Sequence, residues 1–300
     1  MSNYHVSVLL KESVDFLVQN SDGIYVDVTF GGGGHSREIL SRLSSNGKLF
    51  GFDQDQDALQ NGLDDNRFTL INQNFRYLKN SLRLQGIAQV DGVLADLGVS
   101  SHQFDTAERG FSTRFDGDLD MRMNQNAPKT AQTIVNEYSE KQLADIFFQY
   151  GELKDSFRIA KKIIAYRSVK KIKTTEDLKA IVLDEIPKFK QNKYLAQVFQ
   201  ALRIEVNDEI NALKEMLTQA AAILKPGGHL VVISYHSLED RLVKRFMKTG
   251  LFQGQPEVDV FGRAEVPLKP VTRKMMMPTD EEITENNRAR SAKLRVAEKI

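Results

Sequence analysis

A run of four glycines separates a short apolar stretch from a stretch with helical spacing. The segment 27–36 reads Asp-Val-Thr-Phe-Gly-Gly-Gly-Gly-His-Ser. Glycines at such a junction let the backbone approach a ligand with no Cβ in the way. An acidic residue about 20 positions further on suits a ribose diol, and Asp53 follows Gly32 by 21 residues. The pattern predicts a nucleoside pocket in which Asp53 binds the ribose.

The glycine run differs from two common phosphate-binding loops. Ser36 stands where a dinucleotide-binding loop has its third glycine, and no Gly-Lys-Ser/Thr triplet follows. An adenosine ligand without a pyrophosphate fits this loop better than a dinucleotide or a nucleoside triphosphate does. S-adenosylmethionine is such a ligand. Its sulfonium charge favours carboxylates and an aromatic ring, which Asp27, Asp96 and Phe75 offer.

Asp96 is the second candidate for chemistry. It follows the apolar run Val90–Leu94, and parallel sheets bind ligands at the carboxyl ends of their strands. We predict that Asp96 accepts a proton or orients a reacting group. A turn or helix cap is the structural alternative, and for Ser100 and Ser101 that alternative is equally good.

The spacing of apolar runs predicts the elements that position these residues. The runs Ile24–Val28, Leu49–Phe52, Phe68–Ile71 and Val90–Leu94 alternate with helical segments, one of them with Ser36 as its cap. This alternation predicts a doubly wound α/β fold around a parallel sheet. Residues 105–205 carry helix signatures without strand-like runs, among them Ser139 before Leu143 and the capping signal Thr174-Thr175-Glu176-Asp177 before Leu178. We therefore predict a discontinuous core of residues 1–104 and 206–300, interrupted by an all-helical domain.

The C-terminal part has four further local signals. Residues 225–228, Lys-Pro-Gly-Gly, predict a type II turn before a strand at Leu230–Ile233. Residues 237–240, Ser-Leu-Glu-Asp, predict a capping box that begins a helix at Leu238–Lys248. The polar segment 256–287 predicts a loop, and the alternation of apolar residues over 292–296 predicts an edge strand.

The composition excludes several kinds of chemistry. The 300 residues contain no cysteine, which rules out disulfides, thiolate metal sites and the Cys nucleophile used to methylate pyrimidine carbon 5. The five histidines lack metal-ligand spacing, so no catalytic metal is predicted. The net charge of +1 is uninformative about a nucleic-acid partner. No apolar run approaches the ~18 residues of a membrane span and no secretory signal is evident, so we expect a cytoplasmic protein without a membrane partner.

Seven blocks in a fixed order extend over nearly the whole chain. They are segment 27–36, Asp-Leu-Gly-Val-Ser-Ser at 96–101, Arg-Gly-Phe-Ser at 109–112, Leu-Asp-Met-Arg-Met at 119–123, Gln-Ala-Leu-Arg-Ile at 200–204, Ser-Tyr-His-Ser-Leu-Glu-Asp-Arg at 234–241 and Arg-Ser-Ala-Lys-Leu-Arg at 290–295. Together they resemble the RsmH (MraW) family, the bacterial S-adenosylmethionine-dependent 16S ribosomal RNA cytosine N4-methyltransferases. The resemblance implies a Rossmann-like class I methyltransferase core with an inserted helical domain. It also implies that the substrate is a cytidine in the decoding region of 16S rRNA, free or in the small ribosomal subunit.

The resemblance further implies which residues contact the cofactor: Gly33, Gly34, His35, Asp53, Phe75, Asp96 and Gln103. For Phe75 a place in the apolar core is an equally good alternative. The chain departs from the family pattern at Asn286-Asn287, where Asn-Pro is expected, and at Gly117-Asp118. Both departures concern the rigidity of loops.

Methylation of an exocyclic amine requires a positioned hydrogen-bond acceptor, because the nitrogen lone pair is delocalised into the ring. Asp96 is the first candidate for this role. Tyr235 and His236, with Ser234, are candidates for recognising the base. A packing role for His236 beside a helix terminus is the alternative.

Two groups of basic residues are candidates for binding RNA. Arg109, Arg114 and Arg122 follow the fourth strand and could close over an unstacked base. Residues 154–173 contain eight Lys and Arg against Asp155 alone, and from this run we select Lys161, Lys162, Lys170 and Lys171. A solvated helix face is the alternative interpretation of that run.

Two other functions are compatible with the same pocket. One is a dinucleotide-dependent oxidoreductase, which Ser36 disfavours. The other is a non-catalytic ribosome-assembly factor that keeps a nucleoside pocket. The sequence leaves the oligomeric state open, with a homodimer as one option.

Overall fold

The computed structural model describes residues 7–259, 261, 264–272 and 274–300, and they form two compact units. The first unit comprises residues up to Gly98 and from Asn211 onward, and the second comprises Val99–Ile210. The sequence prediction places the corresponding junctions at residues 104/105 and 205/206. Within the described residues, no helix is long and apolar enough to cross a membrane.

The first unit is built on one seven-stranded sheet. Its strands are β1 Ile24–Asp27, β2 Lys48–Asp53, β3 Phe68–Asn72, β4 Val90–Asp96, β5 Leu224–Ser234, β6 Leu268–Pro270 and β7 Lys293–Lys299. Their order is β3-β2-β1-β4-β5-β7-β6, with β1 to β5 parallel and β7 antiparallel to both of its neighbours. The predicted doubly wound α/β fold is confirmed.

Twelve α-helices lie in the described part of the chain. They are α1 Leu10–Leu17, α2 Gly34–Arg42, α3 Leu78–Leu84, α4 Ser101–Asp105, α5 Ala131–Glu137, α6 Glu140–Gln149, α7 Ser156–Arg167, α8 Thr175–Leu183, α9 Lys188–Asn207, α10 Glu209–Ile223, α11 Ser237–Thr249 and α12 Asp280–Glu285. Short 3₁₀ turns occupy Gln56–Asn61, Phe75–Tyr77, Ala107–Arg109 and Asn287–Ser291.

Both faces of the sheet are buried at its centre, which explains why β1 and β4 are largely apolar. Successive residues of a strand point to opposite faces. Val26 and Val93 therefore lie in one apolar cluster, while Tyr25 and Leu94 lie in another. Strands β1, β2 and β4 each end in an aspartate.

The second unit is helical and has its own apolar core. That core contains Leu143 and Phe147 of α6, Ile163 of α7 and Leu178 of α8, all fully buried. The capping signals of the sequence are correct here, because α6 and α8 begin with capping boxes that Ser139 and Thr174 form.

Two predicted helix caps are wrong. Helix α2 begins at Gly34 with Gly33 as its N-cap, so Ser36 lies inside the helix and its hydroxyl donates to Asp27 instead. Helix α11 begins at Ser237, and His236 is its N-cap without a side-chain capping bond. In α2 the serine hydroxyl is used for a contact with Asp27. In α11 the serine is the first residue of the helix, one position after the N-cap.

The C-terminal strands also differ from the prediction. Strand β5 begins at Leu224, before the predicted turn, and its pairing with β4 shifts between Val90 and Gly92. Gly227, with φ of 79°, accommodates that irregularity. Strand β7 is an interior strand, while β6 and α12 lie within the segment predicted as loop. Residues 260, 262, 263 and 273 of that segment are outside the described residues.

Candidate active site

Three carboxylates lie at one edge of the sheet. Strand β1 pairs with both β2 and β4, so the strand order reverses at β1, and open α/β sheets bind ligands at such a reversal. Asp27, Asp53 and Asp96 are the last residues of β1, β2 and β4. The structure thus brings together the acidic residues that the sequence analysis selected.

Asp53 holds the glycine loop in place. Its Oδ2 accepts the N–H of Gly31 at 2.8 Å, and its Oδ1 accepts the N–H of Asp55 at 2.8 Å. The side chain is half-buried, and burial raises the pKa of Asp53 to about 6. A carboxylate oxygen has more than one lone pair, so both oxygens retain capacity for the hydroxyl groups of a ribose.

Gly33 is a position in the loop where the backbone requires glycine. Its φ is 75°, in the left-handed region, and its N–H donates to the carbonyl of Phe30 at 2.7 Å. A Cβ at this position would lie 2.9 Å from atoms of the Phe30 ring. At Gly32, by contrast, a Cβ would meet nothing within 4 Å.

We therefore expect Gly33→Ala to lower the free energy of unfolding by about 2 kcal/mol or more, because strain at positive φ adds to the contact with Phe30. Gly32→Ala is the matched control and should leave the melting temperature of the ligand-free protein nearly unchanged. Differential scanning calorimetry measures both variants. Equal melting temperatures would show that the conformation of the loop does not depend on Gly33.

Two hydrogen bonds hold Asp96, and His35 lies beside it. The hydroxyl of Tyr235 donates to its Oδ1 at 2.8 Å, and Nδ1 of His35 lies 3.8 Å from its Oδ2. Its backbone N–H donates to Oγ1 of Thr29 at 2.7 Å. Burial raises the pKa of Asp96 to about 6, although His35 and the Tyr235 hydroxyl act in the opposite direction. Asp96 is therefore ionised at neutral pH but is more basic than an ordinary aspartate.

His35 is a neutral hydrogen-bonding group in this site. It is buried, and burial lowers the pKa of its imidazole. Its Nε2 lies 3.2 Å from the carbonyl oxygen of Val8, which can only accept, so the proton is on Nε2. Nδ1 is then an acceptor on the side that faces Asp96.

Asp27 is a buried residue that stabilises the segment around the site. It is completely buried, which raises the pKa of its carboxyl, and it accepts from Oγ of Ser36 at 2.7 Å and from the N–H of Thr29 at 3.1 Å. In this structure Asp27 has no exposed surface for a contact with a sulfonium. Thr29 connects Asp27 to the backbone of Asp96. Its role was missed, although Thr29 stands within segment 27–36.

The loop after β5 places Tyr235 and His236. Burial and the nearby charge of Asp96 raise the pKa of Tyr235 well above its ordinary value, so its hydroxyl is a hydrogen-bond donor. Buried Glu239 accepts the N–H of Tyr235 at 3.1 Å. Nε2 of His236 lies 3.0 Å from Oε1 of Glu239, but outside hydrogen-bonding geometry. Glu239 was interpreted only as part of a capping box. In the structure it is the third residue of α11 and contacts the backbone of Tyr235, four positions earlier.

Phe75 and Gln103 lie at the ends of other elements. Phe75 begins the 3₁₀ turn after β3 and packs, half-buried, against an apolar cluster of the first unit. Gln103 belongs to the second unit, where it forms a capping box with Ser100 at the start of α4. Their contact with a cofactor stays a prediction.

The predicted RNA-binding arginines of the second unit differ in accessibility. Arg109 is buried and donates to the carbonyls of Arg122 and Met123 at 2.9 and 3.2 Å. Arg122 pairs with Asp120 at 2.7 Å. Arg114 is exposed. The first two guanidinium groups therefore stabilise the loop that carries them.

The predicted RNA-binding lysines also divide into two groups. Lys162 pairs with Asp184 and Glu185 at 3.2 and 3.0 Å, and Lys170 pairs with Asp177 at 3.0 Å. Lys161 and Lys171 are exposed and have no ion pair within the described residues. The positive charge of this run is thus smaller than its sequence indicates, because tertiary folding brings acids from residues 177–185 to it.

The fold and the site together define a class of protein. A doubly wound sheet with acidic residues and a glycine loop at its carboxyl edge suits an adenosine ligand that carries a positive charge. The free acceptor capacity of Asp53 fits a ribose, and the ionised Asp96 fits a sulfonium. The chain is a Rossmann-like class I methyltransferase, and its cofactor is S-adenosylmethionine.

The chain belongs to the MraW methylase family, whose family model matches residues 2–300. The predicted resemblance is confirmed. The chain is 61% identical over 297 residues to ribosomal RNA small subunit methyltransferase H of Flavobacterium johnsoniae, covering 99% of this chain and 98% of the relative. It is 59% identical over 300 residues to the protein of that name in Parabacteroides distasonis, covering 100% and 98%. Among solved structures it is similar to an rRNA methylase of Streptococcus thermophilus, with a TM-score of 0.44, 13% identity and 99% coverage of both chains.

Proposed function

We propose that this protein transfers a methyl group from S-adenosylmethionine to the N4 amine of a cytidine in the decoding region of 16S ribosomal RNA. The names of the relatives, which are ribosomal RNA small subunit methyltransferases, support an RNA substrate of the small subunit. The observation that carries the proposal is the position of Asp96, an acceptor held at the ligand-binding edge of the sheet. Such a substrate places the enzyme in the cytoplasm.

Asp96 would receive the hydrogen bond of the cytosine amine. Because the Tyr235 hydroxyl occupies Oδ1 and the Thr29 contact fixes the backbone, Oδ2 keeps a defined direction. An acceptor aligned with an N–H of the amine returns electron density to nitrogen and takes up the proton as the N–C bond forms. The pKa of about 6 makes Asp96 a stronger base than a solvated carboxylate and keeps it ionised at neutral pH.

The cofactor, when bound, supplies an electrophilic methyl group. The residues that we propose to hold it are Gly33, Gly34, His35, Asp53, Phe75, Asp96 and Gln103. Asp53 would accept from the ribose hydroxyls, and the glycine loop would lie against the adenosine without side chains between them. The roles of Tyr235 and His236 toward the base rest on their place in the loop after β5.

The affinity for S-adenosylmethionine should fall as the pH drops below about 6, because protonation of Asp96 removes the charge that attracts the sulfonium and protonation of Asp53 weakens an acceptor for the ribose. Both pKa values are raised, so both carboxylates are ionised above pH 6 and become neutral below it. Calorimetric titrations between about pH 5 and 8 measure the effect. S-adenosylhomocysteine, a neutral thioether, is the control and should show a weaker pH dependence. An identical dependence for the two ligands would contradict an electrostatic role for these carboxylates.

The reaction is tested by incubating the protein with S-adenosylmethionine and either 16S rRNA or small subunits, followed by nucleoside analysis and mass mapping of the RNA. We expect N4-methylcytidine in the decoding region. A methyl group on another atom or nucleotide would refute the assignment. Cofactor binding without any methylation of either substrate would instead favour the non-catalytic assembly factor. Stabilisation by a nicotinamide dinucleotide and not by S-adenosylmethionine would favour an oxidoreductase.

A further inference from the structure

An exposed aromatic residue stands among lysines at the start of α9. Residues 188–193 read Lys-Phe-Lys-Gln-Asn-Lys, and the Phe189 side chain is 84% exposed. Nζ of Lys190 lies 5.3 Å from the centre of the Phe189 ring. The apolar residues further along α9, such as Leu195, Val198 and Leu202, are buried. Phe189 therefore contributes nothing to the core, and the ring is available to a ligand.

Helix α7 begins in a similar way. Phe157 is 62% exposed in the first turn of α7, and Lys161 follows it by one helical turn. Lys154 precedes the helix and is also exposed. Phe115 and Phe148 of the second unit are exposed as well, at 47% and 61%. Phe157 and Phe189 differ from them in having lysines within one helical turn.

Two polar contacts hold the starts of α7 and α9 next to each other. The hydroxyl of Tyr194 in α9 donates to Oδ2 of Asp155, the N-cap of α7, at 2.8 Å. Nη1 of Arg158 lies 3.8 Å from Oε2 of Glu185, just before α9. Phe189 is about 7.5 Å along the helix axis from Tyr194. The two exposed rings thus belong to helices whose first turns are connected by these contacts.

The acids of this region are engaged by other groups. Asp155 accepts from Arg158 at 2.6 Å and from Tyr194, while Asp184 and Glu185 pair with Lys162. Within the described residues, five lysines of the region form no ion pair: Lys154, Lys161, Lys188, Lys190 and Lys193. We name these five lysines together with Phe157 and Phe189 the aromatic–lysine surface. Its lysines are therefore available to an anionic ligand.

We propose that the aromatic–lysine surface binds single-stranded RNA, with bases stacked on Phe157 and Phe189 and phosphates contacted by the lysines. Proteins that hold single strands combine aromatic rings with a cationic surface in this way. A protein partner fits less well, because lysine is depleted in protein–protein interfaces. A membrane also fits less well, since the exposed rings are single residues on helices whose other apolar side chains are buried. The proposal rests on the proposed function only in that the substrate is an RNA.

Fluorescence anisotropy of the full-length protein with a labelled oligoadenylate of about twelve nucleotides tests the stacking. Phe189→Ala should weaken binding about tenfold, without a change in the salt dependence. Phe189→Trp should bind as the wild type does, because the ring is retained. Phe189→Leu should bind as weakly as the alanine variant, and wild-type affinity of that variant would overturn the stacking. Leu84→Ala, at an 87% exposed site in the first unit, is the matched control and should leave the RNA affinity unchanged.

The salt dependence tests the lysines. The double variant Lys188→Ser/Lys190→Ser should reduce the slope of log affinity against log salt by about 1.4, since each contact with a single strand contributes about 0.7. The control is Lys48→Ser/Lys269→Ser, which removes two exposed lysines of the first unit and should leave the slope unchanged. Wild-type affinity and slope in both the lysine variant and Phe189→Ala would refute the surface.

The outcomes separate this inference from the proposed function. RNA binding that depends on Phe189 and the lysines, without methyl transfer by the wild type, would support the surface and refute the activity. Methyl transfer by the wild type, with unaltered RNA affinity in the variants, would support the activity and refute the surface. Anionic phosphatidylserine vesicles are a parallel probe. A loss of vesicle binding in Phe189→Ala with no change in RNA affinity would assign the surface to a membrane and overturn the proposal.

Discussion

Replacing Asp96 by asparagine is expected to lower kcat of methyl transfer by about 10²- to 10⁴-fold, the usual contribution of a positioned general base. In Asp96→Asn the amide oxygen can still accept from the Tyr235 hydroxyl, which directs the NH₂ group toward the place of Oδ2. A donor then faces the N–H of the cytosine amine, and nothing takes up its proton. Single-turnover transfer of labelled methyl to 16S rRNA or to small subunits measures the loss, and calorimetry with S-adenosylhomocysteine measures the remaining affinity.

Two further variants show whether the fall in kcat is caused by the loss of the Asp96 carboxylate. Tyr235→Phe removes only the hydroxyl and should cost about tenfold in kcat, because the carboxylate remains but its direction is less well defined. Asp91→Asn changes a carboxylate at the other end of β4, where Oδ2 accepts from the N–H of Ile24 and from Lys225. It should affect stability and leave kcat unchanged. Near-normal transfer by Asp96→Asn with intact cofactor binding would disprove the role of Asp96.

Gly110→Ala is expected to destabilise the second unit by about 4 kcal/mol or more, and so to lower its melting temperature by about 8 °C or more. Gly110 has φ of 71°, and a Cβ there would lie 2.2 Å from the carbonyl oxygen of Asp118 and 2.9 Å from the backbone nitrogen of Asp120. Both contacts are with backbone, which cannot rotate away as a side chain can. The loop would have to separate from the segment that it contacts.

Gly86→Ala is the control for this prediction. Gly86 has φ of 75°, but a Cβ there would meet nothing within 4 Å. The cost should therefore be only the 1–2 kcal/mol or so of a left-handed alanine. Calorimetric unfolding and amide hydrogen exchange of α5 and α8 distinguish the two variants. If Gly110→Ala were no more destabilising than Gly86→Ala, backbone approach would not be the reason for glycine at this position.

The sequence predicted the parts of the site that depend on local order along the chain. Asp53 and Asp96 end apolar strands, and in a parallel sheet all such ends meet at one edge, so their convergence follows from the alternation of strands and helices. The capping boxes at Ser139 and Thr174 were also predictable, because their partners lie within one turn. Family membership followed from the order of seven short blocks.

Other features depend on contacts between residues that are distant in sequence. Tyr235 donates to Asp96 from 139 positions away, and Lys162 is neutralised by acids 22 and 23 positions later. Ser36 could cap a helix, but its hydroxyl donates to Asp27 instead. A buried carboxylate is stabilised more by a hydroxyl donor than a water-exposed helix terminus is by a cap.

The sequence by itself therefore determined the class of fold, the family and which carboxylates lie at the ligand-binding edge. The tertiary structure decided which groups hold those carboxylates, how far burial raises their pKa values, and which lysines keep their charge available. The reason is physical: strand and helix patterns reflect local periodicity, whereas desolvation and ion pairing depend on which surfaces meet after the chain has folded.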